Sequence, residues 1–407
     1  MPYWFFMLEK PVFIFLLALI TYLILSMSGG SPFRVSEYAY FNYLADAFLH
    51  GQLNLRLLPP NLHDLSLYNE KYYLYWPPMP AILLIPFVAI FGVNFSDVFF
   101  TVVVASANVA LVSAILRAAD RKGLITLEAN YRVALVFFFA LGTVHVVMAL
   151  FGKVWFTAQL LGFLLVALAY LSALELNGAI AFLAVGILMA CAMLTRNHLL
   201  FTGIWPVYYL LIKNWRNRPK VYGYVLFTLL PVLIAGSLFL SYNFARFGNP
   251  FDVGISYHRM ASLFVADYQK YGAFNVHYVP VNFYYQYIHY PILSLFRLNS
   301  DLFMGGSLFL LSPVFFFAFR GVFRERRNPD AWMLTISIIA TNIPILLLMG
   351  TGWVQYGPRY TLDFTMPLLL LTAYGIRPTS RRLLTWLIAI SIMQYIPGII
   401  LFAELKL

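Results

Sequence analysis

The stretch "PVFIFLLALITYLILSMSGGSPFRVSEYAYFNYLADAFLHGQLNL", Pro11 to Leu55, decides the class of fold. Residues 11–28 form an apolar run of roughly the ~20 residues that a bilayer core demands. Directly after it comes a segment with two carboxylates, a histidine and several aromatic residues among alanines and leucines. Read as a helix over 36–50, its Phe41, Leu44, Ala45 and Phe48 share one face, while Asn42, Asp46 and His50 form a stripe on the other. The pattern predicts an interfacial helix, apolar side on the bilayer or bundle and wet side upward. Ser36 and Glu37 would open it, a hydroxyl capping and a carboxylate meeting the positive end of the dipole. Glu37 and Asp46 lie half a turn apart in projection, so they are not an acid/base pair on one helix.

Composition agrees with the opening run. Apolar residues make up 62% of the 407 positions and charged residues 11%, with a mean hydropathy of +0.78. A soluble domain is nearer about half apolar and a quarter charged. The chain therefore reads as an all-α polytopic membrane protein. Its net charge of +11 does not point to nucleic acid, because most of the excess sits in short clusters between apolar runs, as in cytoplasmic loops. The single cysteine, Cys191, excludes an intrachain disulfide and a cysteine-based metal cluster. Lys10 ahead of the first run and "SMSGG" behind it resemble a signal peptide, but the many later spans favour a retained first helix.

Apolar runs near 11–28, 97–116, 133–150, 157–174, 179–195, 198–212, 222–241, 304–319, 331–350, 361–376 and 383–403 predict about 11 transmembrane helices in a single integral-membrane domain over 1–407. Residues 80–93 are apolar but short, with prolines within. Basic loops at Arg117–Arg132, Lys213–Lys220, Arg320–Arg327 and Arg377–Arg382 should all face the cytoplasm. That parity leaves no room for a span at 80–93, which is expected to be re-entrant or surface-lying. An outer loop then covers about 29–96 and a second outer segment about 242–303, with no separate soluble domain. No internal repeat is evident.

Outer span ends carry "YNEKYYLYWPP" (68–78), "FGKVWFTAQ" (151–159), "LTRNHLL" (194–200), "SYNFARFGNPFDVGISYHR" (241–259) and "GWVQYGPRYTLDFTMP" (352–367). Together they bring Lys71, Tyr72, Lys153, Arg196, Arg246, Tyr257, Arg359 and Tyr360 to the side that holds Glu37, Asp46 and His50. Cations amid aromatic rings suit an anionic lipid headgroup bearing a sugar: charge-assisted bonds for the phosphate and flat rings for the sugar face. The competing reading is that these cations snorkel to headgroup phosphates.

The order of these features resembles the C superfamily of glycosyltransferases, especially the branch with the protein O-mannosyltransferases and the lipid A aminoarabinose transferase. The similar elements are "SE" at Ser36–Glu37, "YNEKYYLYWPP", "LTR" at 194–196 and "GPRY" at 357–360. The resemblance implies inverting transfer of a sugar from a polyprenyl-phosphate donor to a glycan, lipid or protein acceptor. It places the site on the extracytoplasmic face of the plasma (inner) membrane, among membrane lipids and without nucleic acid. It also implies that a first-loop carboxylate is the base. Ser36 stands where the family has Asp, so Glu37 is the matching acid, with Asp46 the other catalytic candidate; His50 and the cations and tyrosines above would bind substrate. The second outer loop has Lys153 and no carboxylate, so no cofactor is expected and a divalent metal lacks its second ligand. A phosphate leaves without protonation, so one base and cations suffice. Two other classes remain: a lipid-linked-sugar flippase or transporter, and a catalytically inactive lipid-binding membrane protein. Transport fits less well, because the spans hold few ionisable residues. Gly-rich nucleotide loops, paired helical histidines and a Ser elbow are missing from the sequence.

Overall fold

The computed structural model describes residues 10–297, 300–350, 352, 354–377 and 379–404. Helix α1 (Pro11–Ser26) begins on a proline, whose missing N–H would be unpaired at that position anyway. Next come α2 (Tyr40–Leu49) and an antiparallel hairpin of β1 (Ser66–Tyr68) and β2 (Lys71–Tyr73). Asn69 and Glu70 turn the hairpin with φ of 47° and 61°, the left-handed pair that two-residue hairpin turns require. Then follow α3 (Met79–Phe91), α4 (Asp97–Arg121), α5 (Ala129–Leu141), α6 (His145–Ala149), α7 (Val154–Glu175) and α8 (Gly178–Met193). A 3-10 segment, Asn197–Gly203, runs into α9 (Ile204–Asn214), and α10 (Arg218–Phe247) follows. The outer segment contains α11 (Ser262–Tyr271), α12 (Val279–Phe283) and α13 (Pro291–Arg297). The chain ends with β3 (Met304–Gly305), α14 (Leu308–Leu311), α15 (Phe316–Arg324), α16 (Pro329–Leu347), β4 (Gln355–Tyr356), a 3-10 turn at Arg359–Phe364, α17 (Thr365–Gly375) and α18 (Arg381–Glu404). Strands β3 and β4 pair in parallel.

Among the described residues, six helices are long and apolar enough to cross a membrane: α1, α4, α7, α10, α16 and α18. This is an integral membrane fold. Several expected spans are interrupted. The run at 133–150 divides at Gly142 into α5 and α6. That at 304–319 is β3, α14 and a 3-10 turn opened by Pro313 before α15. The spans at 198–212 and 361–376 both begin as 3-10 helix. Helix α3 has 13 residues, or about 20 Å at 1.5 Å per residue, short of a bilayer core of about 30 Å.

Helix α7 is the central post, packed by α4 on one side and α8 on the other, with α1 against α4 and α10 against α8. Helices α15 and α17 cross at Gly321 and Gly375, where any Cβ would collide with the facing backbone at Leu371 and Phe317. Small residues are what allow membrane helices so close an approach.

The helix expected over 36–50 begins at Tyr40, which corrects two readings. Ser36 is not its cap: its N–H and Oγ donate to the Asp97 carboxylate at 2.8 and 2.5 Å. Glu37 therefore sits on an exposed turn, ahead of the first helical turn. The stripe is not uniformly wet either. Asn42 is buried and donates to the carbonyls of Val93 and Phe95. Asp46 is buried and holds Arg56 through two bonds of 3.0 and 2.9 Å. Helix α3 packs on α2 with Ala81, Leu84 and Val88 in one core with Phe41, Leu44 and Ala45, while the turn after α3 and Arg56 meet the polar positions that periodicity alone assigns to water.

Candidate active site

The first outer loop, the start of α7, the end of α8, the 253–274 segment and the stretch before α17 enclose a cavity of about 320 Å³. Its walls include Tyr75, Trp76 and Trp155 together with Arg196, His198, Arg359 and Tyr360. Each cation arrives by a helix end. Arg196 follows the last turn of α8, and the extended backbone at that residue, φ −153° and ψ 114°, turns the chain into the next 3-10 segment. Arg359 opens the 3-10 turn after Pro358 ends the β4 region.

The two arginines stand in different company. Arg196 is bound by the fully buried Asp363, with Nε and Nη2 donating to Oδ2 at 3.1 and 3.0 Å. His198 Nε2 reaches the same oxygen at 2.7 Å. Arg359, only 8% exposed, has no carboxylate of its own among the described residues. Its Nη1 donates to Gln159 Oε1 at 3.1 Å, its Nη2 to the Tyr360 hydroxyl at 3.3 Å, and its Nε lies 3.5 Å from the Gly352 carbonyl. Gln159, from the buried face of α7, donates in return to the Arg359 carbonyl at 3.0 Å. The Tyr360 ring serves both cations, its centroid 4.5 Å from the Arg359 Cζ and 5.4 Å from that of Arg196.

Of the expected site residues, Arg196, Arg359 and Tyr360 thus meet in one cavity wall. The others are placed elsewhere. Arg246 is buried, donating to the Leu74 carbonyl and to Asn243 at 2.7 Å each and lying over Tyr242, so it pins the first outer loop to α10. Tyr257 packs against Tyr68 and Phe247. Lys71 is exposed on the hairpin, and the Tyr72 hydroxyl accepts from Arg259. His50 is exposed, with Nδ1 against the Asp46 carbonyl at 2.8 Å.

Lys153 is buried beneath Tyr38, Trp155 and Phe402, its Nζ 5.5, 5.9 and 5.3 Å from their ring centres. Burial, helped by Arg34, pushes its ammonium down to about 7, while Glu37 pulls the other way. Among the described residues no group of three histidine, cysteine or acidic side chains is placed to hold a metal.

Sequence reasoning passed over Asp363, His198 and Gln159, which hold the two arginines, and the neighbours Asp64 and His258. Asp363 and His198 stood in the motifs already singled out, "GPRYTLD" and "LTRNH", but their pairing spans 165 residues of chain.

No family model matches the sequence, and no curated protein does. Solved structures do. ArnT from Cupriavidus metallidurans, bound to undecaprenyl phosphate, superposes with a TM-score of 0.52 at 15% identity, over 91% of this chain and 60% of that one. The fold is similar to that of ArnT. The apo form of ArnT gives 0.53 at 16% identity, with the same shares of each chain. The Archaeoglobus fulgidus oligosaccharyltransferase in its apo form gives 0.45 at 13% identity, over 96% of this chain and 56% of that one. The chain spans about 60% of the length of ArnT.

Proposed function

We propose that this protein transfers a sugar from a polyprenyl-phosphate carrier to an acceptor at the extracytoplasmic face of the membrane. The observation that carries the reading is Arg359, a buried guanidinium in a cavity wall without a carboxylate of its own. A buried charge is costly unless an opposite charge meets it, and a second guanidinium shares the same tyrosine ring. The missing partner is an anion supplied by substrate. ArnT, similar in fold, was solved with undecaprenyl phosphate bound.

In this reading Arg359 and Arg196 take the donor phosphate and stabilise the charge that collects on it as the glycosidic carbon–oxygen bond breaks. Asp363 and His198 hold Arg196 in place. Tyr75, Trp155 and Tyr360 offer rings to the sugar. The acceptor loses its proton to a base on the outer face. Glu37 is the carboxylate that the resemblance implies, and it lies on an exposed turn beside Tyr38.

The test is binding of undecaprenyl phosphate to the purified protein in lipid nanodiscs, with undecaprenol as the phosphate-free control. Saturable binding of the phosphate, displaced by excess inorganic phosphate and lost in Arg359→Met, is the expected result. Equal binding of the alcohol would favour a lipid groove without a phosphate site.

A further inference from the structure

A second polar cluster in the same cavity has no role so far. Asp64 of the first outer loop and His258 of the segment after α10 are 194 positions apart, yet Asp64 Oδ1 lies 3.0 Å from His258 Nε2. Backbone pairing sets this contact. Arg259 N–H donates to the Leu65 carbonyl at 2.9 Å, Asp64 N–H to the Arg259 carbonyl at 3.3 Å, and Ser66 bridges to His258. Asp64 takes a φ of 65°, a left-handed conformation uncommon outside glycine. Such strain persists where the surroundings over-determine it, and it clusters at functional sites. The His258 ring stands edge-on to Tyr75, their centroids 4.7 Å apart. Both Asp64 and His258 line the cavity that holds the two arginines.

The chemistry follows from the donor inventory. An ionised carboxylate only accepts, so the nitrogen facing Asp64 carries the hydrogen and Nδ1 keeps the lone pair. An imidazole oriented by a carboxylate and presenting a free lone pair to a cavity is a base–orienter pair. We infer that His258, held in this tautomer by Asp64, removes the proton from an acceptor hydroxyl, so that the acceptor is an alcohol such as a sugar.

The inference rests on the transfer reading above. In the step, the acceptor O–H bond breaks and its proton passes to His258 Nδ1. The oxygen forms a bond to the anomeric carbon. The carbon–oxygen bond to the phosphate breaks, its electron pair leaving with the polyprenyl phosphate, which Arg196 and Arg359 receive. The imidazolium then returns its proton to water. Asp64 serves the base without being the base, and in this step His258 takes the place that the resemblance gives to Glu37. Around His258 stand Asp64, His63 behind it with Nε2 at 3.3 Å from the same oxygen, Tyr75, the neighbouring Arg259, and Arg196 and Arg359 in the same cavity.

The test compares Asp64→Asn, His258→Gln and Glu37→Gln in nanodiscs. Residue-resolved modification by diethyl pyrocarbonate needs no sugar donor. His258 of the wild type should react, and Asp64→Asn should change its rate of modification, because the carboxylate no longer fixes which ring nitrogen carries the hydrogen. With a panel of undecaprenyl-phosphate-linked hexoses and methyl glycosides as acceptors, release of undecaprenyl phosphate should fall ~10²–10⁴-fold in His258→Gln. Undecaprenyl phosphate binding should stay within about twofold of wild type in the same variant. An unreactive His258, a modification rate unchanged in Asp64→Asn, or full transfer by His258→Gln with loss in Glu37→Gln would overturn the dyad. Failure to bind undecaprenyl phosphate at all, with the modification result intact, would instead sink the transfer reading.

Discussion

Arg359→Lys separates a phosphate site from a headgroup-seeking surface cation. The guanidinium is buried, with its Cζ 4.5 Å from the centre of the Tyr360 ring. One nitrogen is committed to Gln159 at 3.1 Å and another to Tyr360 at 3.3 Å, a geometry that fixes the plane of the fork. A lysine keeps the charge but cannot bond Gln159 and still offer two parallel donors to a phosphate. The variant therefore loses about one charge-assisted hydrogen bond, roughly 1.5–3 kcal/mol. At 1.4 kcal/mol per tenfold, that is on the order of 10- to 150-fold in the dissociation constant for undecaprenyl phosphate. Arg359→Met removes charge and fork together and should abolish binding.

The two variants also separate function from structure in the ligand-free protein. An unpaired buried charge opposes folding, so Arg359→Met should leave thermal stability unchanged or raised. Saturation with undecaprenyl phosphate at 100 times its Kd should raise wild-type stability by about 2.7 kcal/mol, and the methionine variant should lose that gain. Binding titrations and thermal unfolding in one detergent provide both readouts. Wild-type affinity in Arg359→Lys, joined to severe destabilisation of ligand-free Arg359→Met, would refute the reasoning and make Arg359 a structural residue.

Three further outcomes are expected. Asp363→Asn leaves Arg196 without its counter-charge and should destabilise the protein by about 3–5 kcal/mol, since breaking one side of a buried pair strands the other; an unchanged melting temperature would remove Asp363 from its positioning role. Burial holds the Lys153 ammonium at about 7, below its ordinary value of 10.5, so the unfolded chain binds the extra proton between those values and stability should rise with pH across that window. Lys153→Met should flatten that rise in thermal scans from pH 7 to 10, and an identical slope in both proteins would count against a buried ammonium. Finally, cysteines introduced singly at the exposed Gln52 and Asn94 in a Cys191→Ser background should both react with an impermeant thiol reagent added outside cells; labelling of Asn94→Cys only after lysis would place α3 across the membrane.

The sequence made the class of fold legible because lipid solvation leaves a one-dimensional record: α1, α4, α7, α10, α16 and α18 are long runs of apolar residues, readable without any contact. Interruptions are harder to see. Gly142 and Pro313 are single residues within apolar stretches, and what they break is the hydrogen-bond ladder rather than the hydropathy. The site was legible in the same proportion. Arg196, Arg359 and Tyr360 could be picked out because each is a charged or polar residue where an apolar run ends. Arg246 satisfied the same criterion and turned inward, donating to Leu74 and Asn243, because end-of-span position does not encode direction. What decides direction is pairing between distant segments: Gln159 with Arg359, Asp363 with Arg196, Asp64 with His258. Each partner is a common polar residue whose significance exists only once the chain has folded. The misreading of Asn42 and Asp46 has the same root, since a 100° periodicity locates faces on a helix but not the partners, the Val93 and Phe95 carbonyls and Arg56, that meet one of them. A cavity assembled from five chain segments is therefore the last feature that a linear reading reaches, and the place of Arg359 in its wall, outside any ion pair, is visible only there.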